Sequence, residues 1–233
     1  EACVRTGASV IIAGRNEEKL NCACCRLQEM SSGNKTIAYV HMDLHDVSNI
    51  KEAFHKVIVQ QSFPVNVLVN NAGVALGEDF GKTEMELFDQ VMETNVRGTY
   101  FLSQLFSNYL IDNSKPGNIL NVCSSSGNRP AVSAYACSKW SQVGLTKGIA
   151  KKLIPYGIVV NAVAPGPTAG GMMEKTAAGN LKRESSPSGR YVTPEEIANL
   201  AVFLISDMGR MIVGETIYIT GGMGTLTFDD VKY

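Results

Sequence analysis

The sequence has no long apolar run and no excess of charge of either sign. Of its 233 residues, 21 are basic and 22 are acidic, so the formal net charge is -1. No overall field therefore draws the chain toward nucleic acid or an anionic lipid surface. No apolar stretch approaches the roughly 18 residues that indicate a membrane-spanning helix, and no basic and apolar leader is present. We expect a soluble, cytoplasmic protein with neither a membrane nor a nucleic-acid partner.

Histidine is scarce, and the cysteines do not form a metal-binding pattern. The sequence has three histidines and six cysteines, and three of the cysteines crowd into positions 22–25. Cys22 and Cys25 have the C-x-x-C spacing, but no second ligand pair follows them, as a zinc site requires. The run also falls in a stretch with helical character. We expect reduced, packed thiols and no metal site.

Short apolar runs alternate with amphipathic stretches along the whole chain. Several runs are apolar on successive residues, which is typical of strands in a parallel sheet covered by helices on both faces. The predicted strands are 9–13, 36–42, 65–70, 118–123, 158–164 and 215–220. Helix starts are predicted at Ser48 as N-cap and at capping boxes in 83–86 and 193–196. This alternation predicts an α/β fold with a doubly wound parallel sheet in a single domain, 1–233.

Ligands of such sheets bind outside the carboxyl ends of the strands, so the chemistry is sought in the loops that follow them. Tyr135 and Lys139 are four residues apart on a predicted helix and project from one face. A free tyrosine has a pKa of about 10, and a nearby ammonium lowers it by favouring the phenolate. A serine hydroxyl such as that of Ser124 can hold a carbonyl beside the phenol. Alone, however, Y-x-x-x-K is a weak signal.

The strength of the signal lies in an ordered set of motifs. They are Asn70-Asn71-Ala72-Gly73, Asn95, Asn121-Val122-Cys123-Ser124, Tyr135-x-x-x-Lys139 and Asn161-Ala162-Val163-Ala164-Pro165-Gly166. Together they strongly resemble the short-chain dehydrogenase/reductase family, from about residue 9 to residue 222. The resemblance implies a Rossmann-type fold and reversible hydride transfer between a nicotinamide and a carbonyl or alcohol.

The resemblance also implies catalytic roles for four residues. Tyr135 corresponds to the proton donor, and Lys139 to the partner that lowers its pKa and holds the nicotinamide ribose. Ser124 corresponds to the serine that orients the substrate, with Ser125 as a rival. Asn95 corresponds to the asparagine that positions a water in the proton relay. Without the family, Asn95 is as easily a solvated polar residue of a helix.

Further residues match the cofactor-binding positions of the family. Asn71, Ala72 and Gly73 resemble the turn that supports the adenosine side. Asp43 matches the acid that contacts the adenine, although it equally suits a helix cap. The loop that holds the nicotinamide carboxamide is matched by Pro165, Gly166 and Thr168. The plain alternative for these two loops is that they only form a turn and end a strand.

Arg15 indicates which nicotinamide cofactor is used. It follows the strand predicted at 9–13, where an acidic residue would bind both ribose hydroxyls of NAD and repel a 2′-phosphate. A guanidinium instead pairs well with a phosphate. We therefore predict NADP(H) rather than NAD(H). The alternative is a surface arginine that has no role in cofactor binding.

The sequence departs from the family in its phosphate loop. The glycine-rich T-G-x-x-x-G-x-G motif is absent, because residues 6–15 close a helix and form the next strand. We expect the first strand and the phosphate loop to lie upstream of the recorded residues. The substrate lid is expected at about 169–190, where glycines and methionines suit an adaptable flap.

These features predict an NADP(H)-dependent oxidoreductase that reduces a small-molecule carbonyl to an alcohol. One alternative is an NAD-dependent alcohol or polyol dehydrogenase. Another is a catalytically silent member of the fold that binds nucleotide or acts as a scaffold. The resemblance further implies a homodimer or homotetramer.

Overall fold

Strands and helices alternate in the computed structural model, which describes residues 1–31, 33, 35–60, 63–77, 80–170 and 181–226. The strands are β1 (Val10–Gly14), β2 (Ile37–His41), β3 (Val67–Asn70), β4 (Gly117–Val122), β5 (Ile158–Pro165) and β6 (Thr216–Ile219). The helices are α1 (Ala2–Arg5), α2 (Glu17–Met30), α3 (Val47–Gln60), α4 (Met85–Met92), α5 (Thr99–Asp112), α6 (Ala134–Leu153) and α7 (Pro194–Ile205). All six strands begin and end within two residues of their predicted bounds.

The strands form parallel ladders of two and four strands. β1 pairs with β2, while β3, β4, β5 and β6 pair in that order. Within the described residues, β1 and β3 each have a single paired edge. Each of the four strand pairings is parallel, as predicted.

Helices cover both faces of the four-stranded ladder. Ile119 of β4 packs with Phe106 and Leu110 of α5, whereas the next residue, Leu120, packs with Leu204 of α7. Successive side chains of a strand point to opposite faces, so α5 and α7 lie on opposite sides of the sheet. This explains the successive apolar residues in the sequence and confirms the doubly wound α/β architecture.

Helix starts are partly as predicted. At α7, Thr193 accepts a hydrogen bond from the backbone N–H of Glu196, whose carboxylate accepts from the N–H of Thr193, so this capping box forms. The other two predicted starts are wrong. At α3, Asp46 rather than Ser48 accepts hydrogen bonds from the first-turn N–H groups. At α4, Glu84 takes the extended N-cap conformation, one residue beyond the position that a box in 83–86 requires.

A π-helical turn joins α4 to α5. It spans Glu93–Gly98, and the backbone remains helical on both sides of it. π turns are rare and frequently occur at functional sites. Gly98 lies so close to the backbone of Leu44 that a side chain would collide with it.

Other expectations concern thiols, metals, membranes and the lid. The cysteine run lies on α2 as predicted, and all six cysteines are free thiols. The expected packing is found for Cys24, which is buried, and is wrong for Cys22 and Cys25, which are exposed because they face away from the core. The part of the chain that the structure describes holds no cluster of three metal-ligating residues and no helix long and apolar enough to cross a bilayer.

Of the lid expected at 169–190, residues 171–180 lie outside the described residues. Backbone bridges at Thr168–Val192 and Lys182–Arg190 flank that segment.

Candidate active site

The predicted catalytic residues meet where β4 ends and α6 begins. Ser124 follows β4 and caps a short 3-10 turn, Ser125–Asn128, with its hydroxyl accepting from the N–H of Ser126. Ser133 caps α6 by accepting from the N–H of Ala136. Tyr135 therefore lies in the first turn of α6, and Lys139 lies one turn later on the same face.

Lys139 is a buried ammonium with fixed partners. Lys139 is only 4% exposed. The Nζ atom donates to the backbone oxygen of Val122 and to Oε1 of Gln142, both at 2.9 Å. Burial lowers the pKa of Lys139 to about 8. The lysine therefore changes its charge much closer to neutral pH than an ordinary lysine does.

Tyr135 is half-buried, and burial is the main influence on its phenol. Burial raises the pKa of Tyr135 above its ordinary value, a hydrogen bond with the Ser124 side chain lowers it, and the charge of Cys123 raises it. The expectation that Lys139 lowers this pKa is therefore wrong for the chain by itself. The Lys139 Nζ atom lies 5.5 Å from the centre of the Tyr135 ring and is hydrogen-bonded elsewhere.

The contact with Tyr135 separates the two candidate serines. Ser124 hydrogen-bonds to the phenol, as a substrate-orienting serine beside the proton donor would. Ser125 is 7% exposed and lies in the 3-10 turn. The geometry therefore favours Ser124 for this role, while the role itself stays a prediction.

Asn95 is an interior residue of the π turn rather than a solvated one. It is fully buried, with a side chain that accepts from the N–H of Val74 at 2.8 Å. The same side chain donates to the Val74 oxygen at 2.9 Å and to Ser138 Oγ at 3.0 Å. Asn95 thus ties the segment after β3 to α6. Its expected role in positioning a water stays a prediction.

A buried polar network extends below the candidate catalytic residues, and the sequence analysis missed it. Gln142 and Thr146 continue the face of α6 that carries Lys139, and Thr146 Oγ1 donates to the Gln142 backbone oxygen at 2.8 Å. Asn121 of β4 donates to Thr146 Oγ1, and Asn70 of β3 donates to Asn121 Oδ1, both at 2.9 Å. The spacing of positions 135, 138, 139, 142 and 146 along one helix face was the available signal.

The residues predicted for the adenosine side surround the ends of β1, β2 and β3. Arg15 is exposed between β1 and the N-cap of α2, Asn16. Asp43 does not cap α3. Instead its carboxylate accepts from the N–H of His45 in the turn after β2. The short segment after β3 places Asn71 and Ala72 on the surface.

Gly73 brings this segment into contact with the catalytic residues. A Cβ atom at Gly73 would lie 3.3 Å from Asn95 Oδ1 and 3.7 Å from Lys139 Nζ. The backbone therefore passes close to the Lys139 ammonium at a position where a glycine leaves space.

The loop after β5 is held close to the end of β6. A Cβ atom at Gly166 would come within 2.8 Å of the Thr220 backbone, so only glycine fits this approach. Thr168 Oγ1 donates to the Gly166 oxygen at 2.9 Å. Pro165 is the last residue of β5. The role of these three residues in holding the nicotinamide carboxamide stays a prediction.

A cavity of about 570 Å³ opens beside the phenol of Tyr135. Its lining includes the segment Ala75–Gly77 after β3, the side chains of Phe80 and Lys82, and Ser133 at the start of α6. The cavity thus adjoins the group that would protonate a substrate.

Comparison with known proteins identifies the family. A family model described as enoyl-(acyl carrier protein) reductase matches residues 1–224. The 3-oxoacyl-[acyl-carrier-protein] reductase FabG of Thermotoga maritima is 35% identical over 223 residues, which cover 93% of this chain and 88% of that protein. The chain is a short-chain dehydrogenase/reductase. It therefore belongs to a family of oxidoreductases that act on CH–OH and C=O groups with NAD(P).

Solved structures of this family have the same fold. Gluconate 5-dehydrogenase of Burkholderia cenocepacia, in complex with NADP and tartrate, superposes with a TM-score of 0.84 at 26% identity, covering 95% of this chain and 87% of that one. An actinorhodin polyketide ketoreductase variant with NADPH also gives a TM-score of 0.84, at 27% identity over 96% of this chain and 90% of that one. The Rossmann-type architecture expected of a short-chain dehydrogenase/reductase is thereby confirmed.

Proposed function

We propose that this short-chain dehydrogenase/reductase uses NADP(H) to reduce the carbonyl of a small molecule to an alcohol. The observation that carries the proposal is the arrangement at the end of β4. There, a phenol hydrogen-bonded to Ser124 stands one helical turn from the buried ammonium of Lys139. A proton donor, a hydroxyl that holds an oxygen, and a cation are the groups that such a reduction requires.

Each residue has a definite task in this proposal. Ser124 donates a hydrogen bond to the substrate oxygen and keeps it beside Tyr135. Tyr135 is protonated at neutral pH because burial raises its pKa, so it can supply a proton to that oxygen. Lys139 keeps a positive charge below pH 8, and in this proposal its ammonium binds the ribose of the cofactor. The cavity beside Tyr135 accommodates the rest of the substrate.

The residues present fit the nicotinamide part of the cofactor. Among the described residues, Lys139 uses two of its three N–H donors, and we propose that the third binds a ribose hydroxyl. The absent side chain at Gly73 leaves space beside the same ammonium. When bound, the nicotinamide supplies the hydride. Asn71, Ala72, Pro165, Gly166 and Thr168 are proposed to hold the cofactor.

NADP(H) is favoured over NAD(H) by charge. Arg15 presents an exposed guanidinium beyond β1, where the 2′-phosphate of the adenosine would bind. The neighbouring Asp43 contributes its backbone and carboxylate to the turn after β2, close to the proposed adenine site. The two solved relatives described above were determined with NADP and NADPH, at identities of 26% and 27%.

A titration of the purified protein with NADPH, repeated with NADH, tests this proposal. We expect NADPH to bind more tightly, and we expect NADPH to be consumed with at least one member of a panel of ketones, 3-oxoacyl thioesters and keto sugars. Tighter binding of NADH would overturn the choice of cofactor but keep the enzyme. Binding without turnover on any carbonyl would favour the silent alternative. The homo-oligomer and the cytoplasmic location stay predictions.

A further inference from the structure

We propose that Gln142 is a positioning residue, whose side-chain amide fixes the Lys139 ammonium against the backbone carbonyl of Asn95. The inference rests on the proposed function, because it concerns the same lysine. It goes further by assigning a role to a residue that the family motifs do not include. It also places a protein side chain between Lys139 and Asn95, where a water was expected from the resemblance.

The geometry gives the Gln142 amide one partner at each end. Gln142 follows Lys139 by three residues on α6 and is 1% exposed. Its Oε1 atom accepts from Lys139 Nζ at 2.9 Å, and its Nε2 atom donates to the Asn95 oxygen at 2.8 Å. The amide therefore spans the gap between the ammonium and the π turn.

The two partners determine the orientation of the amide. An ammonium only donates hydrogen bonds and a backbone carbonyl only accepts them. The amide satisfies both when its oxygen faces Lys139 and its nitrogen faces Asn95, and a flipped amide would satisfy neither. Burial of an amide is costly unless both ends are bonded, so this bridge is firmly specified.

The π turn and the buried network support the bridge from either side. The Asn95 oxygen belongs to the π turn, and it accepts from Gln142. The Gln142 backbone oxygen accepts from Thr146, which is itself held by Asn121 of β4. Hydrogen bonds thus fix both the backbone oxygen and the side-chain amide of Gln142.

The titratable groups near Lys139 are neutral at the pH where the lysine changes its charge, or are paired with other residues. The Cys123 thiol faces the lysine from the end of β4, and burial raises its pKa to about 11, so it is neutral below that pH. The Tyr135 phenol lies on the same helix, with its pKa also raised. The π turn contributes the neutral Asn95, while its charged residues, Glu93 and Arg97, pair with each other. A change at Gln142 should therefore affect the ionisation of Lys139 directly.

Two variants of Gln142 test the inference. Gln142→Met has a similar length but loses both polar ends, so Lys139 loses an acceptor for its charged form. We therefore expect the pKa of Lys139 to fall by about one unit. Gln142→Glu retains an acceptor toward Lys139, and we expect the pKa to stay at or above the native value. A change of volume alone would not separate these two variants in this way.

The pKa of Lys139 can be followed without turnover. The readout is the pH titration of the lysine ¹³Cε NMR signals, with the Lys139 signal identified by its loss in Lys139→Ala. In parallel, the alkaline limb of kcat/KM for carbonyl reduction should move to lower pH in Gln142→Met and not in Gln142→Glu. An unchanged Lys139 titration in Gln142→Met would overturn the inference. Absence of turnover in the native protein would refute the proposed function, yet the NMR titration would still decide the role of Gln142.

Asn161→Leu is the matched control. Asn161 is another buried amide, 2% exposed, and its side chain donates to the Ile212 backbone oxygen and accepts from the Glu215 N–H, with no bond to Lys139. We expect this variant to lose stability but to leave the Lys139 titration in place. An equal shift in Asn161→Leu would mean that loosening of the fold, rather than loss of the bridge, moves the pKa, and the inference would fall.

Discussion

Asn70 and Asn121 lie side by side on neighbouring parallel strands, and Nδ2 of Asn70 donates to Oδ1 of Asn121 at 2.9 Å. Both are buried, and each stands near the carboxyl end of its strand. Asn70 also donates to the Ser103 hydroxyl of α5, and Asn121 donates to Thr146 of α6. A polar layer thus connects the ends of β3 and β4 to two helices directly below Lys139.

Tyr135→Phe should abolish carbonyl reduction while leaving NADPH binding largely intact. The substitution removes the proposed proton donor and retains the ring. General acid catalysis typically contributes a factor of about 10² to 10⁴, so turnover should fall at least about 100-fold. Steady-state NADPH consumption and a fluorescence titration with NADPH measure the two effects. Tyr109→Phe is the control and should retain activity, because it removes a hydroxyl of α5 that accepts a hydrogen bond from Lys115. Undiminished turnover in Tyr135→Phe would refute the mechanism.

Lys139 should make stability increase with pH in the alkaline range. Its pKa is lowered from 10.5 to about 8 in the folded protein. Below pH 8 the amine is charged in both states, and burial of the charge disfavours folding. Between these two values the unfolded state binds more protons than the folded state, so the free energy of unfolding rises with pH. The full effect is on the order of 3 kcal/mol.

Comparison with Lys139→Met isolates this effect from the titration of tyrosines and cysteines. Denaturant unfolding of both proteins, without cofactor, should show the native protein gaining stability relative to the variant as pH rises from about 8 to about 10.5. A difference between the two proteins that does not depend on pH would contradict the lowered pKa.

Arg15→Ala should weaken NADPH binding and spare NADH binding. Loss of a charge-assisted hydrogen bond to the 2′-phosphate at an exposed position corresponds to about a 10-fold higher Kd. Arg26→Ala, which removes another exposed arginine, on α2, is the control because Arg26 pairs with Glu1. Equal weakening of NADPH and NADH by Arg15→Ala would show that Arg15 does not read the 2′-phosphate.

Gly73→Ala should reduce activity more than stability. The new methyl group would lie 3.3 Å from Asn95 Oδ1, so either the backbone or the Asn95 side chain must shift beside Lys139. We expect kcat/KM to fall by about 10-fold, since small displacements of catalytic groups are costly. Gly144→Ala is the control: its methyl group enters open space on α6, so it should stabilise the helix by about 0.5 to 1 kcal/mol. Native activity in Gly73→Ala would show that the spacing at Gly73 is not critical.

The sequence predicts the architecture well because burial on both faces leaves a direct trace. Residues such as Ile119 and Leu120 are apolar in succession, as a strand covered on both faces requires. Local hydrogen-bonding competition is harder to read. Asp46 and Ser48 are both good helix caps, and only the path of the chain after β2 decides between them.

The residues of the candidate site were predicted by their motif, but their environments were not. The sequence contains Tyr135 and Lys139 at helical spacing, yet the sign of the pKa change at Tyr135 depends on whether burial or charge dominates. Gln142 and Ser138 look like ordinary polar residues of a helix until the sheet and the π turn cover that face. Their spacing places them on the helix face that carries Lys139, but the sequence does not say which residues of other elements they contact.

The π turn between α4 and α5 makes this region sensitive to the number of its residues. A π turn holds one more residue than the α-helical turn it replaces, so deletion of one residue within 93–98 would restore regular α-helical bonding. The flanking helices α4 and α5 would keep nearly the same relative rotation, because the π turn absorbs the extra residue, but the residues of the turn itself would face new directions. Asn95 would then leave Val74, Ser138 and Gln142. The irregular helix thus directs the backbone carbonyl of Asn95 toward Gln142. We therefore expect insertions or deletions in 93–98 to be more damaging than most substitutions there.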